Sequence, residues 1–314
     1  MATQNISKEQ LEQGILNVEY LALASKITRL MHHPLRYIYA IGLKSLGSQL
    51  IKKDIEKQVA LFTGHQMKIY LPSAADIYLT GGKSHPSEIR LAKYLIKNIN
   101  EGDLVWDLGA HYGYFTLIAS ALVGESGKVI TVEASPKTYE ILESNCVKLN
   151  NVTLLHFALS YNNEPITFYE FPNRYSEYNT SEIAQFEQED WFQKVNIITH
   201  KMNTITMDEL WSNHSLEKAP TFIKMDVEGG ELAAIQGGEV VLQKYSPKII
   251  MEYLAPERDN KAHMKAVGLL RSWGYQSYRI RSSGNIKAIE DLNAYLAKEN
   301  LDSDNILFIK STKT

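Results

Sequence analysis

The sequence predicts an α/β fold with a doubly wound, mainly parallel sheet, and three observations lead to this prediction. Residues 104–116 (LVWDLGAHYGYFT) have the pattern of a short strand, a glycine turn and the start of a helix, which opens nucleotide-binding βαβ units. Apolar runs typical of strands then alternate with helical segments to about residue 255. Two further strand-like runs, residues 275–280 and 305–309, follow near the C-terminus and are expected to pair antiparallel. Ligands of such sheets bind outside the carboxyl ends of the parallel strands.

The composition excludes several classes of protein. The chain has 314 residues, of which 44% are hydrophobic and 22% charged, with a net charge of −3 and a pI near 6.3. This balance does not favour a nucleic acid or an anionic membrane as a partner. The single cysteine, Cys146, excludes an internal disulfide and a cysteine-based zinc site. Residues 1–13 lack a signal-peptide pattern and no apolar run is long enough to span a membrane, so we expect a cytoplasmic protein.

Two regions are predicted, a helical N-terminal extension at residues 1–80 and a main domain at residues 81–314. Residues 11–30 and 35–61 have apolar side chains at helical spacing, and Pro34 separates the two segments. No motif identifies the extension. We expect it to pack on the main domain, where it would cover the substrate side of the site or join two copies of the chain in a homodimer.

The surface of this extension has two interpretations. Lys52, Lys53 and Lys57 fit a helix that faces a membrane. Asp54 and Glu56, which stand beside them, favour an ordinary solvated helix face instead. We therefore expect this segment to face water, and the protein to act on a small molecule rather than on nucleic acid.

The main domain is predicted to begin with a turn and an amphipathic helix over residues 81–98, capped by Ser84 or Ser87. This helix leads directly into the first strand and would lie across the mouth of the ligand site. His85, at its start, is therefore either a ligand contact or a plain capping residue.

The rest of the domain divides into regular elements at its turn signals. The predicted strands are residues 104–108, 128–133, 152–159, 166–171, 195–202, 222–227, 248–253, 275–280 and 305–309. The predicted helices are residues 115–123, about 136–150, one that starts at 207, 231–236, 262–273 and 292–298. Residues 172–190 are polar and aromatic without a period, and we interpret them as a substrate lid or a plain surface loop.

The glycine turn indicates which ligand the site takes. Asp107 stands before it and would repel a diphosphate, but a carboxylate there suits an ammonium or sulfonium group. Glu133 follows Gly109 by 24 residues, at a distance where an acid binds ribose hydroxyls. The pair indicates a positively charged nucleoside without phosphate, which describes S-adenosylmethionine. A nicotinamide-dependent dehydrogenase would need a more glycine-rich turn. The predicted cofactor-binding residues are His85, Asp107, Gly109, Ala110, His111, Gly113, Thr116, Glu133, Ala134, Ser135 and Ala158.

Residues 221–231 (TFIKMDVEGGE) are predicted to carry the chemistry. Side chains alternate along a strand, so Lys224, Asp226 and Glu228 share one face. Asp226 lies at the carboxyl end, and Glu252 at the end of the next strand would lie near it. We expect Asp226, and second Glu252, to be a general base or a ligand of Mg²⁺, with Lys224 orienting Asp226 or stabilising an oxyanion. The alternative is a structural Lys224–Asp226 pair with Glu252 capping a loop.

Four motifs in this order resemble the FkbM-type methyltransferases. They are residues 106–116, residues 132–136 (VEASP), residues 223–231 with the pattern K-x-D-V-E-G-x-E, and residues 250–252 (IME). His111 stands where the family often has Asn, and Gly230 stands where Ala is common. Neither difference removes a charge that the chemistry needs, and the first 80 residues lie outside the resemblance.

The resemblance implies a fold and an activity. The fold would be the class I methyltransferase fold, a seven-stranded Rossmann-like sheet with an antiparallel C-terminal edge strand. The activity would be O-methylation of a hydroxyl by S-adenosylmethionine, on a sugar, a glycolipid, or a polyketide or peptide natural product. The alternative is a protein that binds S-adenosylmethionine without turnover, as a scaffold or regulatory subunit of a biosynthetic assembly.

Overall fold

The computed structural model describes residues 6–46, 54–187, 189–214 and 218–310. The helices are α1 Lys8–Leu23, α2 Lys26–His32, α3 Pro34–Leu46, α4 Ala75–Thr80, α5 Pro86–Asn98, α6 Tyr114–Val123, α7 Pro136–Cys146, α8 Met207–His214, α9 Glu231–Gln236, α10 Glu239–Tyr245, α11 Lys261–Ser272 and α12 Leu292–Glu299. The strands are β1 Ile55–Ala60, β2 Gln66–Leu71, β3 Leu104–Leu108, β4 Lys128–Glu133, β5 Val152–His156, β6 Ala158–Leu159, β7 Ile166–Glu170, β8 Ile198–Met202, β9 Thr204–Ile205, β10 Phe222–Met225, β11 Lys248–Leu254, β12 Tyr275–Ile280, β13 Ile286–Ile289 and β14 Ser303–Lys310. Across these ranges, every helix is too short or too polar to span a bilayer.

The main sheet of the described residues has eight strands in the order β13-β12-β14-β11-β10-β3-β4-β5. The strands from β11 to β5 run parallel, and β14 pairs antiparallel with both β11 and β12. This confirms the α/β class, the doubly wound order and the antiparallel terminal pair. β14 lies inside the sheet, however, and β13 adds an eighth strand at the edge. The sequence did not indicate β13 because its four residues, Ile-Lys-Ala-Ile, are largely exposed.

Helices cover both faces of the sheet, and the strands bury side chains on both sides. On β3, Val105 packs into one apolar cluster with α5 and α6, whereas Leu104, Trp106 and Leu108 pack into the other. Asp107 therefore points to the same side as Val105, toward α6. This alternation brings a single charged side chain of β3 under the glycine turn.

The helix predicted over residues 35–61 is wrong in its second half. α3 ends at Leu46, and β1 pairs antiparallel with β2 in a hairpin. Alternate residues of β2 are buried, among them Met67 and Ile69, which is the period of a strand. Lys57 is thus on a strand, and Lys52 and Lys53 lie outside the described residues.

Other element boundaries also differ from the prediction. His85 is the N-cap of α5, and neither Ser84 nor Ser87 caps it, because Pro86 begins the helix. The strand expected over residues 152–159 breaks after His156. Ala158 then belongs to β6, which pairs with β9 outside the main sheet. The helix expected to reach residue 150 ends at Cys146, and β8 begins three residues later than expected.

Candidate functional site

The glycine turn after β3 packs directly against the end of β10. Gly109 has a φ of 75°, and a Cβ atom there would lie 1.8 Å from the carbonyl oxygen of Asp226. Only glycine fits so close an approach. The Asp226 N–H donates to the carbonyl oxygen of Leu108 at 3.0 Å, which holds the two segments together. His111, in the same turn, also adopts a positive φ of 52°. The turn is thus fixed against the strand that carries the predicted base.

Glu133, at the end of β4, joins this turn to the next strand. Its carboxylate accepts hydrogen bonds from the N–H groups of His111 at 2.8 Å and of Ser135 at 2.9 Å. Burial raises the pKa of Glu133 to about 7, although both hydrogen bonds favour the charged form. Glu133 lines the cavity described below, where an acid can accept two vicinal hydroxyl groups.

Asp107 is buried and has its own partners. Its Oδ2 accepts a hydrogen bond from the Thr116 hydroxyl at 2.6 Å, and its Oδ1 lies 3.7 Å from the Lys224 ammonium. Lys224 also lies 3.3 Å from Asp226 Oδ2 and donates to the Gly109 carbonyl oxygen at 3.0 Å. Burial opposes the charge of Lys224, but the two carboxylates outweigh burial and raise its pKa. Lys224 therefore connects the acid under the turn to the acid at the cavity.

Three carboxylates meet at the ends of β10 and β11. One oxygen atom from each of Asp226, Glu228 and Glu252 lies within 4.8 Å of the other two. Burial, followed by the charge of Asp226, raises the pKa of Glu252 to about 7 and that of Glu228 well above its usual range. The sequence placed Asp226 and Glu252 at adjacent strand ends but did not single out Glu228 as a site residue. A cation or a shared proton would relieve the repulsion among these groups.

The loop that carries Glu228 is fixed from two sides. The N–H groups of Val227 and Gly229 donate to the two carboxylate oxygens of Glu231 at 3.1 and 3.0 Å. The Thr180 hydroxyl donates to the Glu228 carbonyl oxygen at 2.5 Å. Glu228 itself has a φ of 45°, so the strand alternation ends before it. Its position is therefore set by the loop and not by the strand.

Two cations face the same space. Lys83 pairs with Glu88 and lies 3.9 Å from Glu177. Burial raises the pKa of Glu88 to about 7 against the opposing effect of Lys83. Arg258, in a short 3₁₀ turn after β11, also lines the cavity. Neither cation is predicted from the sequence, because both are in connecting segments without a motif.

A cavity of about 610 Å³ lies over these strand ends. That volume is typical of sites for small molecules and cofactors. Of the predicted cofactor residues, its lining includes His85, Gly109, His111, Glu133, Ala134 and Ala158. It does not include Asp107, Ala110, Gly113, Thr116 or Ser135, which support the turn or the adjoining helices from behind. Asp107 therefore does not face the cavity. Lys224 links it to Asp226, which does.

The segment predicted to be a lid supplies one wall of the cavity. Ser176, Tyr178 and other residues of that segment line it. His111 Nε2 lies 2.9 Å from the Ser176 hydroxyl oxygen, which joins this wall to the glycine turn. The rings of Tyr175 and Tyr178 both stack on Trp191, at centroid distances of 4.5 and 5.3 Å. Their faces are therefore engaged within the wall, and a role in holding the acceptor stays a prediction.

The lining fits an adenosine group. Glu133 provides two carboxylate oxygens beside the backbone of the turn, and Ala134, Phe157 and Ala158 provide an apolar surface next to it. These features match a nucleoside whose hydroxyl groups meet the carboxylate and whose flat aromatic base meets the apolar surface.

The sequence matches the profile of the methyltransferase FkbM domain over residues 107–277. The chain belongs to the FkbM methyltransferase family. It is therefore an S-adenosylmethionine-dependent methyltransferase, as the four motifs predicted. A second profile, that of the protein-L-isoaspartate(D-aspartate) O-methyltransferases, matches residues 50–160.

Individual relatives of this FkbM methyltransferase are distant. It is 24% identical to the hexuronic acid methyltransferase AglP of Haloferax volcanii over 194 residues, which are 61% of this chain and 72% of AglP. It is 33% identical over 75 residues to a protein-L-isoaspartate O-methyltransferase of Methanococcoides burtonii, which covers 23% of this chain and 36% of that protein. Among solved structures, methyltransferase FkbM of Methylobacillus flagellatus has a TM-score of 0.40 at 15% identity, with 76% of this chain and 52% of that chain covered. These distant similarities do not identify the acceptor, so its class is inferred from the residues of the cavity as well.

Proposed function

We propose that this FkbM methyltransferase transfers a methyl group from S-adenosylmethionine to a hydroxyl group of a small molecule. The observation that carries the proposal is the cluster of Asp226, Glu228 and Glu252 beside the glycine turn. A hydroxyl group must lose its proton as its oxygen attacks the methyl carbon, and a carboxylate within reach can accept that proton. The cytoplasmic location, the absence of nucleic acid partners and a homodimer stay predictions.

The cofactor would be held by the residues that fit it. Glu133 would accept the ribose hydroxyls, and Ala134 and Ala158 would contact the adenine. When bound, S-adenosylmethionine supplies an electrophilic methyl group on a sulfonium ion. The residues of the chain contribute the alignment of the acceptor oxygen with that methyl group, and alignment alone is worth several kcal/mol in such displacements.

Asp226 is the first candidate for the base. It lines the cavity and its side chain is one-third exposed, so an acceptor can reach it. Lys224 holds one of its oxygens, which orients the carboxylate. Glu252 is the second candidate, because a pKa of about 7 suits a group that accepts and releases a proton near neutral pH. In the proposed step the acceptor O–H and the S–CH₃ bonds break, the O–CH₃ bond forms, and the proton passes to a carboxylate.

The same cluster would bind a divalent cation such as Mg²⁺. Oxygen ligands from carboxylates are those that Mg²⁺ prefers, and three of them converge here. A cation would lower the pKa values of Glu228 and Glu252, which burial and then repulsion raise, and it would also stabilise an acceptor alkoxide. We propose the cation as an aid to the base at this site.

The acceptor is proposed to be a sugar that carries a carboxylate. The similarity to the hexuronic acid methyltransferase AglP supports this class. Arg258 supports it as well, since its guanidinium lines the cavity and forms no ion pair within the described part of the chain. A guanidinium can bind a carboxylate through two hydrogen bonds. The hydroxyl to be methylated would then be held between Arg258 and the three acids.

Methyl transfer from labelled S-adenosylmethionine to glucuronic acid, galacturonic acid and glucose tests the proposal. We expect transfer to the acids, loss of transfer in Asp226→Asn, and unchanged cofactor binding in that variant by calorimetric titration. Glu164→Gln, which changes an exposed loop residue, is the matched control. If Asp226→Asn retained full turnover, the assignment of the base would be wrong. If the wild type bound the cofactor but methylated no hydroxyl compound, the scaffold alternative would replace an enzyme.

A further inference from the structure

The three N-terminal helices expose many large apolar side chains to solvent. Those with more than a third of their surface exposed are Leu16, Tyr20, Leu23, Ile27, Met31, Leu35, Ile38 and Tyr39. Leu35 and Leu23 are 83% and 78% exposed. In the rest of the described chain, such side chains are scattered singly along the sequence, for example Val147 and Val240. Single exposed apolar residues need no explanation, but a concentration of this kind marks an interaction surface.

From the middle of α1 onward, these helices carry apolar residues on the side that faces solvent, whereas the first half of α1 exposes polar residues, among them Glu9 and Glu12. α1 buries Leu11, Ile15 and Val18 against the body of the protein, in contact with α5 and α4. Its opposite face carries Leu16, Tyr20 and Leu23 at helical spacing. On α2, Ile27 and Met31 are also exposed and lie one turn apart. α2 follows α1 after a two-residue link. The apolar solvent side therefore continues along consecutive helices.

From the last turn of α1 onward, the charge of this segment is opposite to that of the whole chain. Residues 20–53 contain no Asp or Glu, whereas the chain has a net charge of −3. The basic residues of the segment are Lys26, Arg29, Arg36, Lys44, Lys52 and Lys53, with His32 and His33 among them. Within the described residues, Lys26 is exposed beside Ile27. Exposed apolar side chains among basic ones, without acids, are the signature of a helix that lies on an anionic membrane.

We propose that the C-terminal part of α1, together with α2 and α3, binds the surface of a bilayer that contains anionic phospholipids. The apolar side chains would enter the boundary between headgroups and acyl chains, and the basic side chains would lie among the lipid phosphates. The helices are too short or too polar to span, so they lie on the surface. This docking surface is separate from the cavity at the strand ends.

A second copy of the chain fits this surface less well. In a two-fold symmetric dimer the same residues of both copies meet, so two basic segments would face each other. A nucleic acid would match the charge but would leave the exposed leucine and isoleucine side chains without apolar partners. The bilayer satisfies both the apolar and the basic groups.

Vesicle co-sedimentation of the full chain tests the proposal. The probes are vesicles of pure phosphatidylcholine and vesicles with about 30% phosphatidylglycerol. We expect binding to the anionic vesicles, weaker binding at high salt because the charges are screened, and little binding to the neutral ones. The triple variant Ile27→Gln, Met31→Gln, Leu35→Gln removes the inserted apolar groups. Its affinity for anionic vesicles should therefore fall at least about tenfold.

A control variant has three exposed apolar residues changed elsewhere. The variant Val147→Gln, Ile198→Gln, Val240→Gln should bind anionic vesicles as the wild type does. The proposal is overturned if the wild type binds neither vesicle, or if both triple variants lose binding equally. It is also overturned if light scattering shows a dimer that the N-terminal variant dissolves while vesicle binding is unchanged. Even if a variant folds poorly, the difference in wild-type binding between anionic and neutral vesicles tests the proposal.

Discussion

Gly109 and Asp226 are in direct backbone contact, because a Cβ at Gly109 would lie 1.8 Å from the Asp226 carbonyl oxygen. The end of the strand that carries the candidate base is thus held by the turn at the proposed cofactor site. Geometry at one of these positions cannot change without moving the other. Parallel pairing of β3 with β10 and this contact bring the candidate cofactor and base residues, far apart in sequence, to one edge of the sheet.

Gly109→Ala should destabilise the fold and abolish cofactor binding. The substitution combines a positive φ with a steric clash, so we expect a loss of about 2 kcal/mol or more in the free energy of unfolding. Urea unfolding and calorimetric titration with S-adenosylmethionine measure the two effects. Gly268→Ala is the control, because it lies in α11 with no atom within 4 Å of its Cβ, and it should gain up to about 1 kcal/mol. Equal stabilities of the two variants would contradict the contact.

Lys224→Met should destabilise the protein by about 3–5 kcal/mol, because it leaves the buried Asp107 carboxylate without its cation. Adding Asp107→Asn removes that charge and should recover at least half of the loss. Urea unfolding of the wild type, both single variants and the double variant gives the coupling energy. Simple additivity of the two losses would show that Lys224 does not neutralise Asp107.

Glu252 should make stability depend on pH in a defined direction. Its pKa is about 7 in the folded state and about 4.5 in its ordinary state, so between these values the unfolded chain releases a proton that the folded protein keeps. The stability that this proton contributes is present below pH 4.5 and is lost as the pH rises through 7. Relative to Glu252→Gln, the wild type should lose on the order of 1–3 kcal/mol across this range. Urea unfolding at several pH values measures it, and Glu164→Gln should run parallel to the wild type.

Glu228→Gln should weaken binding of a divalent cation at the three-carboxylate cluster. Removal of one ligand is expected to lower affinity for Mg²⁺ or Mn²⁺ about tenfold or more. A bound cation should also raise the melting temperature of the wild type, and EDTA should reverse that rise. Calorimetric titration with each metal alone is the measurement. An unchanged affinity in the variant, or no binding by the wild type, would remove the cation from the proposed mechanism.

Arg258→Gln should change the choice of acceptor. For an acceptor with a carboxylate we expect the KM to rise about tenfold or more, because a paired carboxylate loses its partner. A neutral sugar of the same size should show no such change. Steady-state kinetics with both acceptors measure the difference. An equal rise in KM for both acceptors would show that Arg258 maintains the shape of the cavity and does not bind the acceptor carboxylate.

The parts of the site that the sequence predicts are those encoded by local pattern. The strand–turn–helix pattern located Gly109, and parallel strand ends brought Asp226 and Glu252 together without any structure. Glu228 needed the structure, because its loop has a positive φ and takes its shape from Glu231. The partners of Asp107 were also found only in the structure. Of the two acids, Lys224 was expected to orient only Asp226, but it lies beside both.

The errors in the fold have a similar cause. β1 falls within the predicted helix because isolated apolar residues in 35–61 match both periods, and only its pairing with β2 decides the outcome. Lys83 and Arg258 lie in connecting segments, whose positions depend on the packing of distant elements. Such residues have no local signal in a single sequence.

The stacking of Trp191 between Tyr175 and Tyr178 gives the protein an intrinsic optical reporter. The indole belongs to the aromatic group next to the cavity wall, and that wall touches the glycine turn through His111 and Ser176. A rearrangement within the wall that separates these rings on ligand binding would alter the emission of the indole. Trp191→Phe would identify its share of the signal. Such a rearrangement can therefore be followed by stopped-flow fluorescence on the unlabelled protein.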